Sequence, residues 1–165
     1  MPRLDTVNPE TDTGPGADLL NGTLKEKQIN IFKGLAAHPP VLEAFLGWAQ
    51  GSKGGALSPI ECEVVQLVTA EKNRCTYCAS AHTKVATGSG LSDEECLNIR
   101  RRQSDNPKLQ ALIDFTAEAV DDAGYVSDAT LDSFMNAGFT TEAAIEVVAG
   151  ISVMTFTSFY NHIHD

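Results

Sequence analysis

The chain has 165 residues, 42% of them hydrophobic and 21% charged, the balance of one globular domain that can bury a core without metal or disulfide staples. A formal net charge of -10 argues against the basic surface that nucleic acid or an anionic membrane would require. The opening Met1-Pro2-Arg3-Leu4-Asp5 lacks the basic start and apolar stretch of a signal peptide, so a cytoplasmic protein is expected, with its four cysteines read as catalytic or structural thiols.

Residues 1–22 scatter Pro2, Pro9, Pro15, Gly14, Gly16 and Gly22 among short polar side chains and read as an extended arm; residues 23–165 read as a single all-α domain. Apolar residues recur at helical spacing over residues 19–35, and His38-Pro39-Pro40 stops that segment and opens a second helix carrying Val41, Leu42, Phe45, Leu46 and Trp48. Ser58-Pro59-Ile60-Glu61 is a capping box with proline at the first helical position, and the helix it opens runs to about Lys72. Asn73-Arg74 makes a short turn into a helix that begins at Cys75 and ends before Gly88 and Gly90. Further starts stand at Ser92, Asn106-Pro107, Ser127 or Asp128, and Thr140 or Thr141. The last helix is apolar through Phe159, and its stretch 143–156, broken by Glu146 and Gly150, reads as a buried core helix and not as a membrane span. No segment alternates over strand length, so the chain is expected to be a bundle of antiparallel helices.

The chemistry concentrates in residues 61–82. Cys75, Cys78 and His82 lie three and four residues apart, so they share one face of the helix after Arg74. A cysteine at a helix start is biased towards thiolate by the positive end of the dipole. Glu63 would sit roughly 18 Å from the thiols along one straight helix. Folding the chain back at Asn73-Arg74 instead places it level with about Lys84, within a turn of His82. The relay expected from this geometry runs Glu63, His82, Cys78, with two sulfurs in disulfide reach, a base beside one of them and an acid orienting the base. Other readings remain beside it. Cys75, Cys78, His82 and Glu63 could hold zinc, or the thiols could be inert core residues. Cys62 and Cys96 read as buried structural thiols, His38 as a turn residue, His162 and His164 as surface or interface residues, and Tyr77 as a pocket wall. A weak internal echo sets Glu146-Val147-Val148 against Glu63-Val64-Val65 and puts Ser158 and Asn161 where the first copy has Cys75 and Cys78.

The pattern of Glu63, then Cys75-x-x-Cys78, then His82, across two consecutive helices, resembles the alkylhydroperoxidase D (AhpD)-like, carboxymuconolactone decarboxylase superfamily. Leu57-Ser58-Pro59 and Phe159-Tyr160-Asn161-His162 resemble its peroxidase-related branch. Where the alkylhydroperoxidase itself carries a further histidine before the second cysteine, this chain has Tyr77, a difference that bears on proton transfer and on the reductant. The resemblance implies an AhpD-like helical bundle with the Cys-x-x-Cys at the start of one helix of an antiparallel hairpin. It also implies a cofactor-independent, metal-free thiol peroxidase with Cys78, Cys75, His82 and Glu63 as catalytic residues. Cys78 would attack the hydroperoxide and Cys75 would close the disulfide, whereas thioredoxin logic makes the first cysteine the nucleophile. Its partners would be a hydroperoxide, an external dithiol reductant and further copies of itself in a dimer, trimer or hexamer. Two alternatives are a non-peroxidatic thiol–disulfide partner or oxidant sensor, and a lactone decarboxylase of the family's other branch, for which the thiol pair is not needed.

Overall fold

The computed structural model describes residues 3–164, which contain helices and turns and, among those described residues, no strand. The helices are α1 (Pro15–Asn21), α2 (Asn30–Leu35), α3 (Pro39–Gly51), α4 (Pro59–Lys72), α5 (Thr76–Gly88), α6 (Asp93–Arg100), α7 (Pro107–Asp121), α8 (Asp128–Asn136) and α9 (Thr141–His164), with a single 3-10 turn at Lys25–Lys27. The fold is all-α, as expected.

Local chemistry sets most of these boundaries. Ser58 accepts the Glu61 N–H while the Glu61 carboxylate accepts the Ser58 N–H, and Ser92 and Glu95 repeat the arrangement, so both capping boxes form. Asn106 and Ser127 cap α7 and α8 through their side-chain oxygens.

α4 is the axis of the molecule. Every residue from Glu61 to Ala70 is buried, because α5, α6, α7 and α9 pack around it. One apolar cluster gathers Val64, Leu67 and Val68 of α4 with Ile99, Leu112, Ile113, Phe134 and Val147 from the surrounding helices. A second cluster joins Leu20, Leu24, Ile31, Leu35 and Leu42, and it docks the N-terminal segment onto α3. Burying one such leucine side chain contributes about 1.5–3 kcal/mol.

Three expectations need correction. The arm over residues 1–22 is not extended throughout: Pro15–Asn21 is helical, with Pro15 at the first helical position and Leu20 fully buried. Gly16 is there for close approach, since a methyl group at that position would run into the carbonyl of Ala36. The stretch 19–35 is not one helix, because the chain leaves the helical path after Asn21, forms the 3-10 turn and re-enters at Asn30. Finally, α9 is not buried all round. By length and composition it could cross a membrane, yet only 33% of its most apolar window is buried. Ala143, Val147, Gly150, Met154 and Ser158 face inward, while Ile145, Val148, Phe156, Phe159 and Ile163 are exposed.

Candidate active site

The hairpin between α4 and α5 forms the site, and its turn is a Schellman motif. The Cys75 N–H donates to the Ala70 carbonyl at 3.0 Å and the Arg74 N–H to that of Glu71 at 3.0 Å, with Arg74 left-handed at φ 56. Cys75 is thereby set at the N-cap of α5, where its sulfur accepts the Cys78 N–H at 3.2 Å. Cys75 and Cys78 are joined in a disulfide with their Cα atoms 5.2 Å apart. They are 2% and 4% exposed and pack with Ala70, Ala79 and Met154.

The acid and base meet as the folded-back hairpin requires. His82 Nδ1 lies 2.6 Å from Glu63 Oε2, and Glu63 is only 2% exposed. Burial alone pushes the Glu63 carboxyl up. The hydrogen bond and charge of His82, with the ammonium of Lys53 3.2 Å from Oε1, outweigh burial and hold it below its ordinary value. An ionised carboxylate only accepts hydrogen bonds, so His82 Nδ1 carries the proton of this contact and Nε2 is the ring nitrogen left free of Glu63. Among the described residues Cys78 Sγ makes no hydrogen bond to His82; both side chains open into the same cavity.

That cavity has a volume of about 260 Å³, with Phe32, Phe45, Leu46, Met154, Cys78 and His82 among its walls. Gln66 also lines it, at 3% exposure. Its Nε2 donates to the Gly150 carbonyl at 3.5 Å, while its Oε1 has no partner among the described residues. A side chain at residue 150 would crowd Gln66 and Val65, so the glycine lets α9 lie close enough to orient this amide. The result is a buried acceptor in an apolar chamber beside a thiol and a base.

Four residues of this constellation were not singled out as site residues by the sequence reading. Lys53 comes from the glycine-rich loop between α3 and α4, and Gln66 from the middle of α4. Ser158 and Asn161 come from α9: the Ser158 hydroxyl lies 3.5 Å from Cys78 Sγ and Asn161 Nδ2 donates to the same sulfur at 3.4 Å. The internal echo held a signal for these last two, since it aligned them with the cysteines. Its other member, Glu146, accepts the backbone N–H groups of Ala56 and Leu57 at 3.0 and 2.8 Å and so pins the entry to α4. His38 is exposed in the turn before α3, and His162 and His164 close α9 away from the cavity.

Residues 39–105 match the model of the carboxymuconolactone decarboxylase family. No functionally curated protein matches the sequence. Among solved structures, an AhpD-core, peroxidase-related protein from Ralstonia eutropha JMP134 superposes with a TM-score of 0.85 at 19% identity, over 99% of this chain and 90% of that one. A peroxidase-related protein from Silicibacter sp. TM1040 gives 0.77 at 17% identity, over 98% and 92% of the two chains. The debrominase Bmp8, captured as a cysteine-to-alanine variant with 2,3,4-tribromopyrrole, also gives 0.77 at 17%, over 95% and 87%. At such identities the likeness is one of fold, and it spans differing chemistries. An AhpD-like fold holding a disulfide-forming Cys-x-x-Cys supports a redox role. The family model thus matches residues 39–105, and over nearly its whole length the chain is similar in fold to AhpD-like proteins.

Proposed function

We propose that the protein is a cytoplasmic thiol peroxidase that reduces hydroperoxides through a Cys75–Cys78 dithiol/disulfide cycle. The observation that carries this reading is the Glu63–His82 pair, its carboxylate buried and its imidazole lining the same mostly apolar cavity as Cys78. In the reduced protein His82 Nε2 takes the proton of Cys78. The thiolate attacks the terminal oxygen of the hydroperoxide, the O–O bond breaks, and the departing alkoxide recovers that proton as the alcohol. Cys75 then attacks the sulfenic sulfur of Cys78, water leaves, and the disulfide forms. A dithiol returns both electrons. In this reading Gln66 Oε1, unpartnered among the described residues, accepts the hydroperoxide O–H, and the apolar walls favour a substrate with a hydrocarbon body.

The test is consumption of cumene hydroperoxide and of hydrogen peroxide under excess dithiothreitol. Turnover is expected with both, with a lower KM for the bulkier substrate. A protein that forms the disulfide once and then exchanges it with other proteins, without consuming peroxide, would be a thiol–disulfide partner or sensor, and the peroxidase reading would fail.

The exposed face of α9 supports a second part of the proposal, a homo-oligomer. Ile145, Val148, Phe156, Phe159 and Ile163 leave an apolar stripe exposed along α9, with Trp48 exposed as well, the kind of surface that marks an interaction site. Light scattering on the purified protein is expected to give a multiple of the 17.6 kDa chain, and Val148→Glu to shift it towards monomer. A wild type that stays monomeric at micromolar concentration would remove this part.

A further inference from the structure

The disulfide has two approaches of opposite character. Cys78 lines the apolar cavity, whereas Cys75 lines an adjoining cleft of about 540 Å³ that shares Tyr77 and Asn161 with it. Lys33, Arg74, Thr76, His162 and His164 are among the side chains around it, and no carboxylate is among its described lining residues. We propose that this cleft binds the anionic portion of a carboxylate-bearing thiol and delivers its sulfur to Cys75, a proposal that rests on the redox cycle described above.

Three observations converge on it. The first is charge. On a chain of net charge -10 a cleft with two fixed cations is the exception, and it is reinforced by the positive end of a 13-residue helix. The second is pairing. Lys33 and Arg74 are in no ion pair among the described residues, a state they share with Arg3, Lys25, Lys27, Lys84 and Arg101, but of these cations they alone line the cleft. The third is the backbone at Arg74. A left-handed residue closing a helix is ordinarily glycine, and Gly90 fills the corresponding place after α5. Arg102 is the other arginine found left-handed, just after α6, and its guanidinium grips Asp121 at 2.6 and 3.0 Å. Arg74 accepts the same conformational cost with no such partner among the described residues, which leaves its side chain for a ligand.

The step balances as ordinary thiol–disulfide exchange. The incoming thiolate attacks Cys75 Sγ, the Cys75–Cys78 bond breaks, and Cys78 departs as a thiolate. It departs into hydrogen-bonding reach of Asn161 Nδ2 and the Ser158 hydroxyl, which favours it as the leaving group. A second thiolate then attacks the reductant's sulfur in the mixed disulfide and releases Cys75. Two thiols are oxidised to a disulfide and the protein recovers two thiols. Substrate and reductant thus enter by different routes, and the bound anion need not leave before peroxide arrives.

The experiment compares rates of reduction of the Cys75–Cys78 disulfide by mercaptosuccinate, 2-mercaptoethanol and cysteamine. Each rate is normalised to that thiol's rate with a small reference disulfide, which removes differences in thiol pKa and nucleophilicity. At low salt we expect mercaptosuccinate to exceed cysteamine by about tenfold or more, with the preference shrinking as salt is added. Arg74→Gly should remove most of that preference without lowering Tm, because glycine suits the left-handed turn, and Lys33→Gln should weaken it further. Equal normalised rates for the three thiols, or a preference that survives both substitutions, would overturn the proposal. Peroxide consumption driven by neutral dithiothreitol is measured in parallel. Charge preference without peroxide turnover sinks the peroxidase reading alone, and turnover without charge preference sinks the cleft alone.

Discussion

Cys78→Ser is expected to abolish peroxide turnover, while Cys75→Ser, reduced and then freed of added thiol, should consume about one equivalent of peroxide and stop. That pair of outcomes is expected because only Cys78 stands in the apolar cavity with His82, and because Asn161 and Ser158 reach its sulfur at 3.4 and 3.5 Å. Without Cys75 the first chemical step survives, and a sulfenic acid accumulates on Cys78 with no partner to condense with. Trapping with dimedone followed by mass spectrometry should find the adduct on Cys78 in Cys75→Ser and none in Cys78→Ser. The N-cap geometry pulls the other way: Cys75 opens α5 and accepts the Cys78 N–H, which favours thiolate on the first sulfur. An adduct on Cys75 in the Cys78→Ser protein, with turnover retained, would reverse the assignment.

Glu63→Gln is expected to lower kcat/KM by about 10²-fold or more, since the base loses the group that fixes its tautomer and stabilises its charged form. The amide oxygen introduced by this substitution can still accept a hydrogen bond from His82, so the fold should survive with a loss of about 1–3 kcal/mol. The pH dependence gives the sharper signature. The Glu63 carboxyl is held below its unfolded value of 4.5, so its contribution to stability is full above that pH and drains as the pH falls through the lower folded value. Wild-type Tm should therefore drop below about pH 4.5 more steeply than that of Glu63→Gln. Lys53→Met should move the loss to higher pH, because one of the cations that keeps the carboxyl ionised is gone. Its direct cost should stay under about 1 kcal/mol, because the lysine is half exposed. Parallel Tm curves for wild type and Glu63→Gln would mean that the Glu63 carboxyl is not ionised as described.

The helical layout and the Glu63–His82 contact were legible in the sequence because both rest on short-range rules. Ser58 and Ser92 announce their helices through residues three positions on, and a helix of known rise folded at Asn73-Arg74 can place Glu63 against His82 by arithmetic alone. What escaped depends on long-range packing. Pro15 and Gly16 look like helix breakers, yet Pro15 suits a first turn and Gly16 is held close against Ala36 from a later segment. Lys53 and Gln66 carry no spacing signature, and Ser158 and Asn161 showed only in the weak echo, since α9 reaches the site from far along the chain. The exposed side of α9 was hidden for a related reason: an apolar helix reads the same whether its second face meets a core or solvent.

Cys62 and Cys96, set aside as ordinary core residues, bear on how a protein with four sulfurs survives its own chemistry. They are 5% and 0% exposed, and burial pushes both thiols up, with nearby carboxylates such as Glu146 at Cys62 and Asp93 at Cys96 adding to the shift. Disulfide exchange begins from a thiolate, so these two sulfurs are protonated spectators at neutral pH and do not enter the exchange with Cys75 or Cys78. On the proposed cycle the Cys75–Cys78 pair is insulated from scrambling, with a single disulfide isomer available at each oxidation.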